Sequence, residues 1–246
     1  MSDIFNHSKK FYEATPLDTW KSVLGDSMNY CFGNSISNNP EVFENRKTIL
    51  DIGCGWGASA NRMKSISKDA TITCVSNVQT QLDYIGNKYK TIYADANEYI
   101  PTKKYELVTF FQSLTHMRDS ALKNVFDSTD RIFINDFVFP ISGAPVWATT
   151  WVMKIRSISC WEKLFKESGF EIKKFNILPL EHYMPDAQLW LDNIYKYEVQ
   201  NTTWQMLSLE KLCTTLLEKQ ANMDNKEHLP PYKPDVFLVD IYAERV

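Results

Sequence analysis

With 246 residues, a formal net charge of −3, 44% hydrophobic and 23% charged residues, the chain is suited to one globular domain with appendages. No basic run supplies the electrostatic footprint of a nucleic-acid binder, and no stretch approaches the roughly 18 to 20 apolar residues of a membrane span. The polar Met1 to Lys10 is unlike a secretory leader, and Cys31, Cys54, Cys74, Cys160 and Cys213 lack paired spacing, so the expectation is a cytoplasmic chain with buried free thiols, no disulfide framework and no metal.

Residues 1–46 read as helices carrying Phe11, Tyr12, Trp20, Tyr30 and Phe32, and they end in the turn-rich stretch 33–40. From Lys47 onward, β-rich runs alternate with polar helical segments, the pattern of a parallel sheet covered on both faces. Strands are predicted at 48–52, 71–76, 90–94, 107–112, 131–137, 170–176 and 236–244, with helices starting near Gly57, Val78, Ser120 and Ser159. A stretch at about 180–225 interrupts the alternation, and there Leu209, Leu212, Leu216 and Leu217 recur at helical spacing. The predicted organisation is an N-terminal helical lid over 1–46 and an α/β domain over 47–246 with a helical insertion before its last strand. Lid and insertion are both able to fold over the open edge of the sheet.

The segment Ile49-Leu50-Asp51-Ile52-Gly53-Cys54-Gly55-Trp56-Gly57-Ala58-Ser59 runs from an apolar strand through a glycine-rich turn into a helix. Glycines there let the backbone approach a ligand, and the helix start offers unpaired N–H groups, which makes a nucleotide-binding turn. By itself the pattern fits a dinucleotide or another adenosine ligand. Asp51-x-Gly53-x-Gly55-x-Gly57 resembles the first motif of the class I S-adenosylmethionine-dependent methyltransferases. The resemblance implies that Asp51 helps to hold the donor's amino-acid portion and that Gly53 and Gly55 line its methionine part and ribose.

Val75-Ser76-Asn77-Val78-Gln79-Thr80-Gln81 resembles the branch that includes cyclopropane-fatty-acid synthases, which implies ribose contacts from Ser76 and Gln81, with Asn77 as a competitor. Capping of the next helix is the alternative use of these side chains. Ala94-Asp95-Ala96-Asn97 is similar to the adenine-reading pattern of the family, with Asp95 accepting from the exocyclic amine and the Ala96 N–H donating to the ring. The run Gln112-Ser113-Leu114-Thr115-His116-Met117-Arg118-Asp119 resembles the turn after the fourth strand, with Gln112 where Glu is common. Taken together, the resemblance implies an α/β, Rossmann-like, seven-stranded and mostly parallel sheet with helices on both faces and an antiparallel last strand. It also implies S-adenosylmethionine as cofactor and a small-molecule methyl acceptor.

Methyl transfer is an in-line displacement at an already activated carbon, so alignment in a dry pocket is the main requirement. An acceptor that must lose a proton needs a base. His116, with an ordinary pKa of about 6.5, and Asp136, late in the fifth strand, are the candidate catalytic residues. Tyr12 and Tyr30 are placed by the resemblance over the donor. Trp147, Trp151, Tyr183 and Trp190 are expected to line the acceptor side, where they suit an aromatic, heterocyclic or amine metabolite. The alternatives are a nicotinamide-dependent oxidoreductase on a similar sheet, which predicts an acidic residue where Ser76-Asn77 stands, and a non-catalytic binder of S-adenosylmethionine. Leu229-Pro230-Pro231-Tyr232 resembles a motif of nucleic-acid amino-methyltransferases but stands before the last strand, where it predicts a turn.

Overall fold

The computed structural model describes residues 7–139, 146–148, 153–199, 202–224 and 237–246. Four helices lead in, α1 (His7–Glu13), α2 (Leu17–Leu24), α3 (Ser35–Asn38) and α4 (Pro40–Phe43). The alternation follows as β1 (Thr48–Ile52), α5 (Ala58–Ile66), β2 (Thr71–Ser76), α6 (Gln79–Ile85), β3 (Lys90–Tyr93), β4 (Leu107–Phe111), α7 (Asp119–Lys123) and β5 (Arg131–Phe139). The remainder is β6 (Val146–Ala148), β7 (Met153–Ser157), α8 (Ile158–Glu167), β8 (Phe170–Leu178), α9 (Met184–Lys196), α10 (Trp204–Asp224) and β9 (Phe237–Arg245).

Strands β3, β2, β1, β4 and β5 pair in parallel in that spatial order. β9 runs antiparallel along β5 from Arg131↔Glu244 to Val138↔Phe237, and β8 pairs antiparallel with β9. These are the seven strands read from the sequence, with the last one antiparallel. The sheet has nine strands among the described residues because β6 and β7 form an additional antiparallel hairpin. β7 pairs in parallel with Val138 and Phe139 of β5. Since β9 already holds the other side of Val138, β7 lies on the β4 side, where β4 has ended. The hairpin escapes the sequence because Val146–Ala148 is too short to show a period and Met153–Ser157 carries Lys154 and Arg156 within it. Trp151, Val236 and residues 229–232 lie outside the described residues.

Alternation along the strands divides the core. Leu50, Ile52, Val108, Phe110, Ile132 and Ile134 pack toward α7 and α8, against Leu122, Trp161 and Phe165. Ile49, Ile72, Cys74, Leu107 and Phe133 pack on the opposite face against Phe43, Ala60, Met63 and Leu82. A third apolar cluster roofs the carboxyl edge of the sheet. It joins Trp20, Val23, Leu24, Met28 and Phe32 from the N-terminal segment to Ala187, Trp190 and Ile194 of α9 and Met206, Leu209 and Cys213 of α10. The N-terminal segment and the insertion, which share no sequence signal with each other, therefore form one roof.

Buried polar side chains fasten this roof to the sheet. Gln112, with φ at +48°, turns the chain out of β4. Its Oε1 accepts from Phe32 N at 3.0 Å, and its Nε2 donates to Phe32 O at 2.8 Å and to Asn135 Oδ1 at 2.9 Å. Asn135 Nδ2 donates to Ser35 Oγ at 2.8 Å and to Asp240 Oδ1 at 2.9 Å. Asn39 Nδ2 donates to Asp240 Oδ2 at 2.9 Å, while Lys174 Nζ donates to Asn39 Oδ1 at 3.0 Å. Asn135 and Asp240 are each 1% exposed, so removal of one member strands the others away from water. Asn135→Ala is expected to cost roughly 3 kcal/mol of stability, measurable by urea unfolding, and to speed proteolysis within residues 7–46 more than elsewhere.

Candidate active site

The glycine turn after β1 is held against β2 by Gly53 N and Cys54 N, which both donate to Val75 O, at 2.9 and 3.1 Å. Gly53 has φ at +71°, and a Cβ there would sit 2.5 Å from the Ser113 Cβ, so β1 and the loop after β4 approach closely only because the side chain is missing. Gly55, with φ at +52°, differs. A Cβ there would meet no atom within 4 Å, and the residue lines a cavity of about 340 Å³ at the carboxyl ends of β1, β2 and β4. A ligand-binding crevice is expected at that edge of an open parallel sheet.

Many of the side chains singled out from the sequence line this one cavity. Tyr12, Tyr30, Gly53, Gly55, Ser76, Asn77, Gln81, Gln112, His116, Tyr183 and Trp190 are all in its walls. Ser76 and Gln81 are bonded to each other, Ser76 Oγ donating to Gln81 Oε1 at 2.9 Å, and Ser76 Oγ also accepts from Val78 N at 3.1 Å. The same hydroxyl thus lines the cavity and closes the turn before α6, while α6 itself has no side-chain cap. Tyr30 stacks on Trp190 with centroids 5.4 Å apart and meets Tyr12 edge-on at 5.7 Å, while Phe32 lies 4.6 Å from Trp190. Burial raises the Tyr12 and Tyr30 phenols well above their ordinary range, so both are neutral.

Other predicted site residues are placed elsewhere. Asp51 is fully buried behind the wall, its Oδ2 accepting from Ser59 Oγ at 2.7 Å and its Oδ1 from Thr109 Oγ1 at 2.9 Å. Asp136 is also fully buried and off the lining, its carboxylate taken up by Thr115 N at 3.0 Å and Phe137 N at 2.8 Å. A side chain held this way supports the loop beside the cavity and does not reach an acceptor. Asp95 and Ala96 are likewise off the lining, and Asp95 Oδ1 accepts from Asn97 N and Asn97 Nδ2, both at 2.9 Å. Trp147 is placed in β6 by its backbone alone, and Trp151 is outside the described residues.

Several lining residues carried no individual signal in the sequence. Ser59 follows the glycine turn, Met153 and Ile155 come from the unforeseen β7, and Leu209, Leu212 and Leu216 face inward from α10. Helical spacing marked the leucines as one face without saying what that face covers. Among the described lining residues there is no Asp, Glu, Lys or Arg, and His116 is the one imidazole.

The loop bearing His116 is rigidly held. Arg156, 1% exposed, donates through Nη1 to Leu114 O at 2.9 Å and through Nη2 to Met117 O at 3.0 Å. Its Nε and Nη2 also meet Asp119 Oδ1, at 2.9 and 2.8 Å, and Lys154 Nζ donates to Asp119 Oδ2 at 2.9 Å. Two carbonyls that bracket Thr115 and His116 are thus fixed to β7, whose other residues Met153 and Ile155 wall the cavity.

A family model described as a methyltransferase domain matches residues 49–133, which span β1 through the first part of β5 and contain the glycine turn. Residues 49–133 thus resemble a methyltransferase domain. The fold is shared with solved methyltransferases and cyclopropane synthases. The structure is similar to the cyclopropane synthase MmaA2 from Mycobacterium tuberculosis, with a TM-score of 0.74 at 13% identity, over 98% of this chain and 98% of that one. It is also similar to the cyclase SpnF, with a TM-score of 0.74 at 15% identity over 98% and 96% of the two chains. Coclaurine N-methyltransferase bound to N-methylheliamine and SAH matches with a TM-score of 0.69 at 13% identity, over 99% of this chain and 86% of that one. No curated protein matches by sequence. No helix among the described residues is long and apolar enough to cross a membrane.

Burial pushes the carboxyls of Asp51 and Asp136 up to about 6. Between about pH 6 and pH 4 the folded chain therefore binds protons that the unfolded chain does not, and stability rises as pH falls through that window. Lys174 holds Glu41 below its ordinary range, and against the upward push of burial Lys154 and Arg156 do the same for Asp119; stability from these two is lost only below about pH 4. The ligand-free protein is expected to melt at a higher temperature at pH 5 than at pH 7 in a thermal denaturation series; a lower melting temperature at pH 5 would contradict the assignment.

Proposed function

We propose that this protein transfers the methyl group of S-adenosylmethionine to a small, uncharged and largely apolar acceptor, an aromatic, heterocyclic or amine metabolite that enters as the neutral form. The observation that carries the reading is the single cavity with the glycine turn on one side, aromatic and aliphatic side chains from the roof on the other, and no ionic side chain among its described lining residues. Bringing an unpaired carboxylate or phosphate into such a lining costs several kcal/mol, on the order of 3 or more, so acceptors of that kind are disfavoured at the reacting end.

The residues present fit the cofactor. Gly55 opens on the cavity where any side chain would stand in the way of a ligand, and Ser76, Asn77 and Gln81 offer hydroxyl and amide groups at the carboxyl end of β2, where a ribose is read in this fold. When bound, S-adenosylmethionine supplies an electrophilic methyl carbon. The protein then has three tasks. Gly53, Gly55, Ser76 and Gln81 orient the donor; Tyr12, Tyr30 and Trp190, whose ring faces favour a cation, close over it and exclude water; Phe137, Met153, Ile155 and Tyr183 hold the acceptor. His116, on the clamped loop, takes a proton from an acceptor that must lose one, and an amine that enters neutral does without it. An amine acceptor agrees with the fold shared with coclaurine N-methyltransferase, which was solved with N-methylheliamine. The nicotinamide alternative finds no support in the family and fold matches.

Calorimetric titration tests the cofactor. Saturable binding of S-adenosylmethionine and S-adenosylhomocysteine is expected, with none for NAD. Gly55→Val is expected to abolish that binding while costing only about 1–2 kcal/mol of stability, because the strain is that of one left-handed residue. In an acceptor panel, carboxylated or phosphorylated analogues are expected to lose at least about a hundredfold in kcat/KM against their neutral counterparts. Equal turnover of charged and neutral acceptors would overturn the substrate class.

A further inference from the structure

Helix α10 carries, on the face it turns to the cavity, a polar side chain that the fold leaves without a partner. Leu209, Leu212 and Leu216 line the cavity from this helix, while Leu207, Lys211 and Glu218 are exposed on its far side. At about 3.6 residues per turn, Gln205 falls on the same side as the three lining leucines, one turn before Leu209 and just beyond the described wall. Gln205 is fully buried, and neither its Oε1 nor its Nε2 has a hydrogen-bond partner. The turn that carries it is fixed. Met206 N donates to Thr203 Oγ1 at 3.3 Å, Leu207 N donates to Thr203 O at 3.2 Å, and the hydroxyls of Thr203 and Thr15 are hydrogen-bonded at 3.2 Å. These bonds tie the start of α10 to the N-terminal segment and keep the amide under the roof.

A buried amide with both atoms unpaired costs the free protein stability, and a ligand that pairs with it recovers that cost in the complex. The amide is neutral, so a charged group brought against it would lack a counter-charge. It offers an acceptor and a donor side by side. Elsewhere in the chain, the amide of Gln112 shows what such a group selects, since its Oε1 and Nε2 pair with the N–H and the carbonyl of Phe32. We infer that Gln205 is a specificity-determining residue, and that it takes a lactam or carboxamide at the end of the acceptor remote from the methylated atom. This assignment rests on the reading of the cavity as a methyl-transfer site and narrows its substrate class. In that reading the donor occupies the glycine-turn side, opposite the roof to which α10 belongs, so Gln205 bears on the acceptor and not on the donor. An acceptor that extends past Leu209 along α10 meets the amide, and the hydrogen bonds it makes there fix its orientation for the in-line transfer.

Calorimetric titration of the full chain, saturated with S-adenosylhomocysteine, tests this with pairs of neutral aromatics that lack or carry the group: quinoline and carbostyril, isoquinoline and isocarbostyril, naphthalene and its carboxamide. At least one polar member is expected to bind about tenfold or more tightly than its parent, as hydrogen bonds to an otherwise unpaired buried amide would give. Gln205→Leu, which keeps the approximate size, is expected to erase that difference and to leave the affinity for S-adenosylhomocysteine within about twofold. The same substitution is expected to raise the melting temperature of the ligand-free chain by about 3 °C, because it replaces an unpaired buried amide with an apolar group. The assignment is overturned if no polar member gains over its parent in the unaltered chain, if the gain survives Gln205→Leu, or if the melting temperature does not rise. If the unaltered chain did not bind S-adenosylhomocysteine at all, the cofactor reading itself would fail and this assignment with it.

Discussion

Asn135 is the point at which three separate parts of the chain are joined. It takes Gln112 from the end of β4 by a part-buried hydrogen bond, and Ser35 from the N-terminal segment and Asp240 from the last strand by hydrogen bonds away from water. A sheet edge that supports a ligand cavity must leave strand ends uncovered by other strands, and a roof over such an edge has few backbone partners to bind. The amide of Gln112 meets that need by pairing with both backbone groups of Phe32, as a neighbouring strand would. Once Phe32 is held there, Tyr30, Met28 and Trp20 follow in position, and α9 and α10 have an apolar surface on which to pack. Here the neutral amide supplies a donor as well as an acceptor, which a carboxylate would lack.

The same economy governs charge. Around the cavity, ionised groups stand one layer back from the wall, Asp51 behind Ser59, Asp136 behind backbone N–H groups, and Arg156 behind the carbonyls of the His116 loop. The lining stays neutral while the charges still orient what faces it. For a methyl transfer whose donor is already cationic, such a wall supplies orientation and dryness, and it leaves the nucleophile in a neutral environment. The hairpin of β6 and β7 extends this arrangement. One face of β7 contributes Met153 and Ile155 to the cavity and the other carries Lys154 and Arg156 to the loop, so this part of the cavity wall and the His116 loop are joined through β7.

Legibility in the sequence followed the range of the interactions. Strand positions in the repeating part needed only local alternation of apolar residues, and β1 and β2 were readable to the residue; β5 and β8 run two residues beyond their predicted ends. Gly53 and Gly55 were readable because a strand, a glycine turn and a helix start coincide there. The hairpin was not, because β6 has three residues and the charges on β7 are satisfied only by partners more than thirty positions away, such as Asp119 for Arg156 at a separation of 37. Asp51 and Asp136 show the limit from the other side. Their positions at strand ends were visible, but whether a carboxylate faces the cavity or turns behind it depends on Ser59, Thr109 and Thr115, which only the fold brings near.

The sequence by itself determined the alternating sheet, the glycine turn at its edge, the resemblance of that turn to the class I methyltransferases, and the helical character of the N-terminal segment and the insertion. All of these are written in residues close together along the chain, where backbone conformation and side-chain period decide the outcome. Only the tertiary structure decided that the N-terminal segment and the insertion close as one roof, that the described residues of the cavity wall include no Asp, Glu, Lys or Arg, and that Ser59 stands between Asp51 and the cavity. Those features arise from contacts between segments far apart in sequence, and each depends on which face of an element ends up buried.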